Sequence, residues 1–115
     1  MEVRKIGEKI LKTSKSIRFV TICDKNGKLV YTVHPKRVKS RISKNESKKS
    51  LAAAARAWKT RRELSRKLGQ CKYVVAEYDK VKRITMPAGK NHLLYVTTAP
   101  NFDHNKIVSK VRQLR

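Results

Sequence analysis

Hydrophobic positions along the chain switch between two periods. From Glu2 to Lys15, Val3, Ile6, Ile10 and Leu11 recur at helical spacing while Lys5, Lys9 and Lys12 fall on the other side, which predicts a short amphipathic helix. Ile17 to Cys23 is β-branched and aromatic, with apolar residues at both parities after Arg18, the pattern of a strand covered on both faces. Asp24-Lys25-Asn26-Gly27 is a hairpin turn signal, because Asn and Gly tolerate positive φ. A second strand, Lys28 to Thr32, follows and stops at His34-Pro35, since Pro has no N–H for the ladder. After Gly69 three more strands are expected: Tyr73 to Tyr78, a more mixed and exposed Val81 to Met86, and His92 to Thr98, whose Leu93-Leu94-Tyr95-Val96 run marks it as central. Pro100-Asn101-Phe102-Asp103 starts a last helix capped by Asn101 or Asp103. Ile107, Val108, Val111 and Leu114 form its apolar stripe, with Lys106, Lys110, Arg112 and Arg115 off it.

Between the two halves lies the longest helical pattern, residues 43–69. Ser43 with Glu46 three positions on is a capping box, and Gly69 closes the pattern. At about 100° per residue, Leu51, Ala54, Ala55, Ala57, Trp58, Leu64 and Leu68 fall on one arc, expected to face a core. The other arc collects Lys48, Lys49, Arg56, Lys59, Arg66 and Lys67 with Glu63 as its only acid. Residues 34–42 read as a basic arm leading into this helix, with Val38 and Ile42 as its apolar anchors.

Composition changes the picture through charge. The 115 residues have the length of a single domain, and 39% hydrophobic residues suffice for a modest core. Thirty Lys and Arg oppose eight Asp and Glu, a net +22 that exceeds what solubility requires and costs stability through self-repulsion. Fourteen of the cations lie between residues 35 and 72 against Glu46 and Glu63 alone, leaving +12 in a third of the chain. A polyanionic partner is the economical expectation, though a Lys-rich solvated face is the plainer one. Lys outnumbers Arg, 19 to 11, which favours backbone charge contacts over base reading.

Catalytic and metal chemistry find little footing. His34, His92 and His104 are dispersed, without paired carboxylates, a Gly-rich phosphate loop or zinc spacing, so no enzyme, cofactor or metal is expected. Cys23 and Cys71 are not spaced as a redox pair. No apolar run approaches a membrane span or a signal peptide, which points to the cytoplasm. Trp58 reads as core or dimer interface rather than a stacking platform, leaving Tyr31 and Tyr78 as stacking candidates. Arg61 and Arg62 sit within or beside the apolar arc and need a partner, for which Glu77 or a second copy of the chain are candidates.

The order helix, strand, strand, long helix, strand, strand, strand, helix resembles the roadblock/dynein-light-chain domain, and within it the small roadblock-like proteins of archaea. The likeness rests on Phe19 to Cys23, Asp24 with Gly27, Lys28 to Tyr31, Leu68-Gly69, Tyr73 to Glu77 and Pro100-Asn101-Phe102-Asp103-His104 before Ile107. Small sandwiches of the profilin and longin type share much of this order. The resemblance implies an α+β sandwich: a five-stranded antiparallel sheet with the long helix on one face and the terminal helices on the other. It also implies homodimerisation through the long helices and the edge strand beginning near Lys72, and a non-catalytic role as scaffold or small-GTPase partner. The cationic helix departs from that pattern.

Charge is therefore weighed above family role. The main expectation is a largely sequence-independent nucleic-acid-binding protein, RNA in a ribonucleoprotein such as the ribosome ahead of DNA in the nucleoid. Its contacts are Lys36, Arg37, Lys39, Arg41, Lys48, Lys49, Arg56, Lys59, Arg62, Arg66 and Lys67. The alternative is the dimeric roadblock-type scaffold, adaptor or GTPase partner, its charge serving acidic partners. Attachment to an anionic membrane lacks an apolar insertion face.

Overall fold

The computed structural model describes residues 3–114; Glu2 and Arg115, assigned above to the first helix and to the flank of the last stripe, lie outside them. The elements are α1 (Val3–Leu11), β1 (Ile17–Asp24), β2 (Leu29–Val33), α2 (Lys44–Glu63), α3 (Ser65–Leu68), β3 (Val74–Glu77), β4 (Lys82–Pro87), β5 (His92–Thr98) and α4 (Asn105–Gln113). The strands form one antiparallel sheet in the order β2-β1-β5-β4-β3. Each expected strand exists, and the two runs that are apolar at both parities, β1 and β5, are internal. This is the α+β sandwich anticipated above.

Strand alternation sorts the core into two layers. Val20, Ile22, Ile84, Met86, Leu94 and Val96 face one way and meet Ile10 of α1 and Ile107 and Val111 of α4. Cys23, Leu93 and Tyr95 face the other way and meet Leu51, Ala55 and Trp58 of α2. Ile17 joins the first layer despite its odd number because the β1–β5 register shifts between Ile17 and Phe19, so Arg18 sits in an irregularity. β4 is not the exposed strand expected from its mixed composition: Ile84 and Met86 are buried, as is the Lys82 side chain.

The hairpin and the long helix are locked together at Gly27. Its φ of +87° suits a turn, and a Cβ there would lie 3.0 Å from both the Ala52 Cα and the Leu51 carbonyl oxygen of α2. Asp24 completes the turn, its Oδ1 accepting the backbone N–H groups of Asn26 and Lys28 at 2.9 Å each. At the start of α2 the capping box forms as expected, with Ser43 Oγ accepting from the Glu46 N–H at 3.1 Å and Glu46 Oε1 accepting from the Ser43 N–H at 2.8 Å.

The 43–69 pattern is not one helix. It breaks at Leu64, where the Ser65 hydroxyl donates to the Arg62 carbonyl at 2.7 Å and competes with the helical ladder. The short α3 ends at Gly69, φ +82°. The last helix starts later than expected, with His104 at the cap position. Asp103 instead accepts the Asn105 N–H through Oδ1 at 3.0 Å.

Candidate functional site

The arm between β2 and α2 has no helix or strand, yet it is tied down. Val38 is buried beneath it and Ile42 half-buried. Two arginines cross-brace it: Arg18 Nη2 of β1 donates to the Lys39 carbonyl at 3.1 Å, and Arg37 Nη2 donates to the Lys15 carbonyl at 2.8 Å. The result is a cleft of about 620 Å³ lined by Arg18, Arg37, Lys39, Arg41 and Lys80, with Val38 and Ser40. A hollow of about 480 Å³ continues from it toward Lys15 and Pro100. Of the arm's candidate cations, Arg37, Lys39 and Arg41 meet here, whereas Lys36 is exposed and does not line the cleft.

The cations of the long helix are not brought to that cleft. On α2, Lys48, Lys49, Arg56 and Lys59 are exposed, and at about 100° per residue they fall to one side of the buried Leu51–Ala55–Trp58 line, the side of Ala52 and the Gly27 turn. Arg62 is exposed at the end of α2, and Arg66 and Lys67 lie beyond the break on α3. At about 1.5 Å per residue, Lys48 and Arg62 are roughly 20 Å apart along the axis. The eleven residues are thus shared among the arm, α2 and α3.

The arc expected to face a core is also divided. Leu51, Ala55 and Trp58 are buried and Ala54 packs at the margin with Cys71 and Val74 of β3. Ala57 is only half-buried, Leu64 is 45% exposed and Leu68 78% exposed. α2 therefore carries three stripes: a buried line, a cationic flank toward the β1–β2 hairpin, and a third stripe of Ala53, Ala57 and Leu64 on which Glu46 and Arg61 also fall.

Arg61 does not pair with Glu77 and is half-buried. Its guanidinium lies over the Trp58 ring at 5.5 Å, while Glu77 Oε1 is 3.9 Å from Lys82 Nζ. Arg62 is exposed and needs no buried partner. Trp58 is 2% exposed, which removes it as a stacking platform; its Nε1 has no hydrogen-bond partner. Tyr31 packs toward the α1 side beneath Arg4, and Tyr78 is exposed. Each histidine has its own surroundings: His34 stacks on Phe19 at 4.8 Å, His92 begins β5, and His104 lies 5.8 Å from the Tyr73 ring. Among the described residues no group of three or more His, Cys, Asp or Glu is placed to hold a metal. No helix among them is long and apolar enough to cross a membrane. Burial raises the Cys23 thiol pKa, with the Asp24 charge adding to it, so this thiol is held protonated in the core.

Three residues of the cleft, Lys15, Arg18 and Lys80, are not among the binding candidates that the sequence singles out. Arg18 carries a signal, being the one cation inside an apolar strand run. Lys80, in the Tyr78-Asp79-Lys80 connection, carries none, because its neighbour across the cleft is some forty positions away.

No family model matches the chain, and no curated protein matches it. Solved structures do. The gliding protein MglB from Thermus thermophilus superposes with TM-score 0.76 at 12% identity, covering 96% of this chain and 80% of its own. The roadblock/LC7 domain from Streptomyces avermitilis gives 0.74 at 13%, covering 99% and 92%. The fold is that of the roadblock/LC7 domain. An MglB with a tetrameric arrangement gives 0.76 at 13%, covering 96% and 79%. These matches bear on the roadblock fold and lend no support to the archaeal likeness.

They also overturn the nucleic-acid expectation. Structures spanning nearly the whole chain are a gliding protein and roadblock/LC7 domains, and not proteins of RNA, DNA, the ribosome or the nucleoid. The physical reason is that net charge reports the sign of a partner and not its class.

Proposed function

We propose that residues 1–115 act as one roadblock-like unit that forms a homodimer or joins a larger assembly, and serves in the cytoplasm as a non-catalytic scaffold contacting a small GTPase. The observation that carries this reading is the exposed apolar surface at the end of α2 and on α3, Leu64 at 45% and Leu68 at 78% exposure, together with the unpaired edge of β3. A second copy related by a two-fold axis continues the sheet through β3 and covers Leu64 and Leu68 with the same residues of its own. The tetrameric arrangement of one MglB structure and the gliding role in the name of another favour assembly and regulation. The cationic flank of α2 then remains free to meet an acidic partner surface, steering association at low salt.

Light scattering on the full chain tests the assembly, with twice the 13.3 kDa chain mass expected. Biolayer interferometry against small GTPases of the same organism, loaded with GDP or a GTP analogue, tests the partner. Affinity that depends on the bound nucleotide supports the reading. A monomer indifferent to every GTPase in both states overturns it.

A further inference from the structure

The cleft under the arm has no role in the assembly just described, and its composition is unusual. Six cations surround it and its extension: Lys15, Arg18, Arg37, Lys39, Arg41 and Lys80. Among the described residues no carboxylate lines either part. The single ion pair among the described residues, Lys82 with Glu77, involves none of them. Like charges gathered without counter-charge destabilise a fold, so their convergence calls for a ligand.

The geometry is also prepared in advance. Arg18 and Arg37 each spend one N–H on a carbonyl of the opposite segment, at 3.1 and 2.8 Å, which ties the arm to β1 and to the loop before it. Each guanidinium carries five N–H donors, so the rest stay available in a fixed fork. Such forks match phosphate oxygens two at a time. Val38, 8% exposed, gives the arm a packed base. The cleft is open to solvent, and its volume of about 620 Å³ leaves room for a short chain of phosphates over the cations. One phosphate leaves most of six cations unneutralised, whereas a short run of linked phosphates neutralises them within that volume.

We infer that this cleft binds a small polyphosphorylated molecule, its linked phosphates held by Arg18, Arg37, Arg41 and Lys80. Lys39 and Lys15 supply the outer charge. The inference is independent of the scaffold reading, because the cleft lies between β1, the arm and the β3–β4 turn and is lined by no residue of β3 or α2.

Isothermal titration calorimetry of the full chain with sodium tripolyphosphate, orthophosphate and sulfate tests it, at about 150 mM NaCl, where separated surface charges are largely screened. One tripolyphosphate per chain is expected, bound at least about tenfold tighter than orthophosphate or sulfate. Arg41 and Lys80 are exposed and make no hydrogen bond within the fold, so the Arg41→Ala, Lys80→Ala pair leaves the fold intact and is expected to weaken binding about tenfold. Lys48→Ala with Lys59→Ala removes the same charge from α2 and is expected to change affinity less than about twofold. Arg18→Lys keeps the charge but loses the fork, and is expected to cost several-fold. Equal weakening by the two double variants, many weak sites per chain, or no saturable heat overturns the proposal. Should Arg18→Lys fail to fold, the contrast between the two double variants decides the matter.

Discussion

Single side chains in this protein take their roles from the atoms around them more than from their type. Lys82 is charged and sits on a strand of mixed composition, yet it is 8% exposed, with Nζ donating to the Phe102 carbonyl at 2.7 Å. It fastens the turn before α4 to the sheet. Lys82→Ala removes a charge-assisted bond and strands that carbonyl, so a loss of about 1–3 kcal/mol is expected in urea unfolding. An unchanged midpoint would show that water replaces the lysine. Asp24 is governed by the turn it caps: the Lys28 N–H, then that of Asn26, holds its carboxyl below the usual carboxylate range. A folded-state pKa below the unfolded one means the stabilisation is present above the unfolded value, near 3.9, and disappears as pH falls through the lowered folded value. The protection of the Asn26 and Lys28 amides against exchange, taken relative to the intrinsic rate at each pH, is therefore expected to fall in acid below about pH 4, a dependence that Asp24→Asn flattens. Equal acid sensitivity in that variant would assign the effect to another carboxylate.

Elements are legible in the sequence wherever local chemistry suffices to define them. The Ser43–Glu46 box, the Asp24–Gly27 turn and the two-sided apolar runs of β1 and β5 are all present, since capping, turn geometry and alternation involve only near neighbours. Errors arise where one element's limits depend on another's. The helix expected to Leu68 breaks at Leu64, and a helical wheel that groups Ala57, Leu64 and Leu68 with Leu51 contains nothing about how far the sheet extends beneath α2. Docking of the hairpin on α2 depends on a missing Cβ. Gly27→Ala imposes both a disfavoured φ of +87° and backbone atoms at 3.0 Å. Strain of about 1–2 kcal/mol plus the clash is expected to lower the melting temperature by several degrees. It is also expected to raise the exposure of Trp58, read by its fluorescence. A wild-type melt with unchanged emission would mean that α2 shifts at no cost.

For the whole molecule the question is where +22 charges go. The roadblock fold places some around a cleft and others on one flank of α2, and leaves Leu64 and Leu68 exposed at the break that ends α2. That exposed apolar surface, with the β3 edge, defines the expected dimer contact. Ala57→Glu with Leu64→Glu puts like charges across the two-fold axis and is expected to weaken the dimer at least about tenfold in sedimentation, or about 1.4 kcal/mol, with the far-UV spectrum unchanged. A dimer of undiminished affinity would place the interface elsewhere, with the β2 edge and its exposed Leu29 and Val30 as the next surface to test.

Residue order alone established the order of the strands along the chain, the two internal strands and the capping box of α2, because each follows from periodicity or near-neighbour hydrogen bonding. Only the tertiary structure decided which cations meet. Arg18 and Lys39 lie 21 positions apart in the chain, and their hydrogen bond exists because β1 and the arm fold onto each other. The same packing left Leu64 exposed and Lys82 buried, since burial depends on which surfaces meet across the sheet, and neither helical nor strand period contains that information.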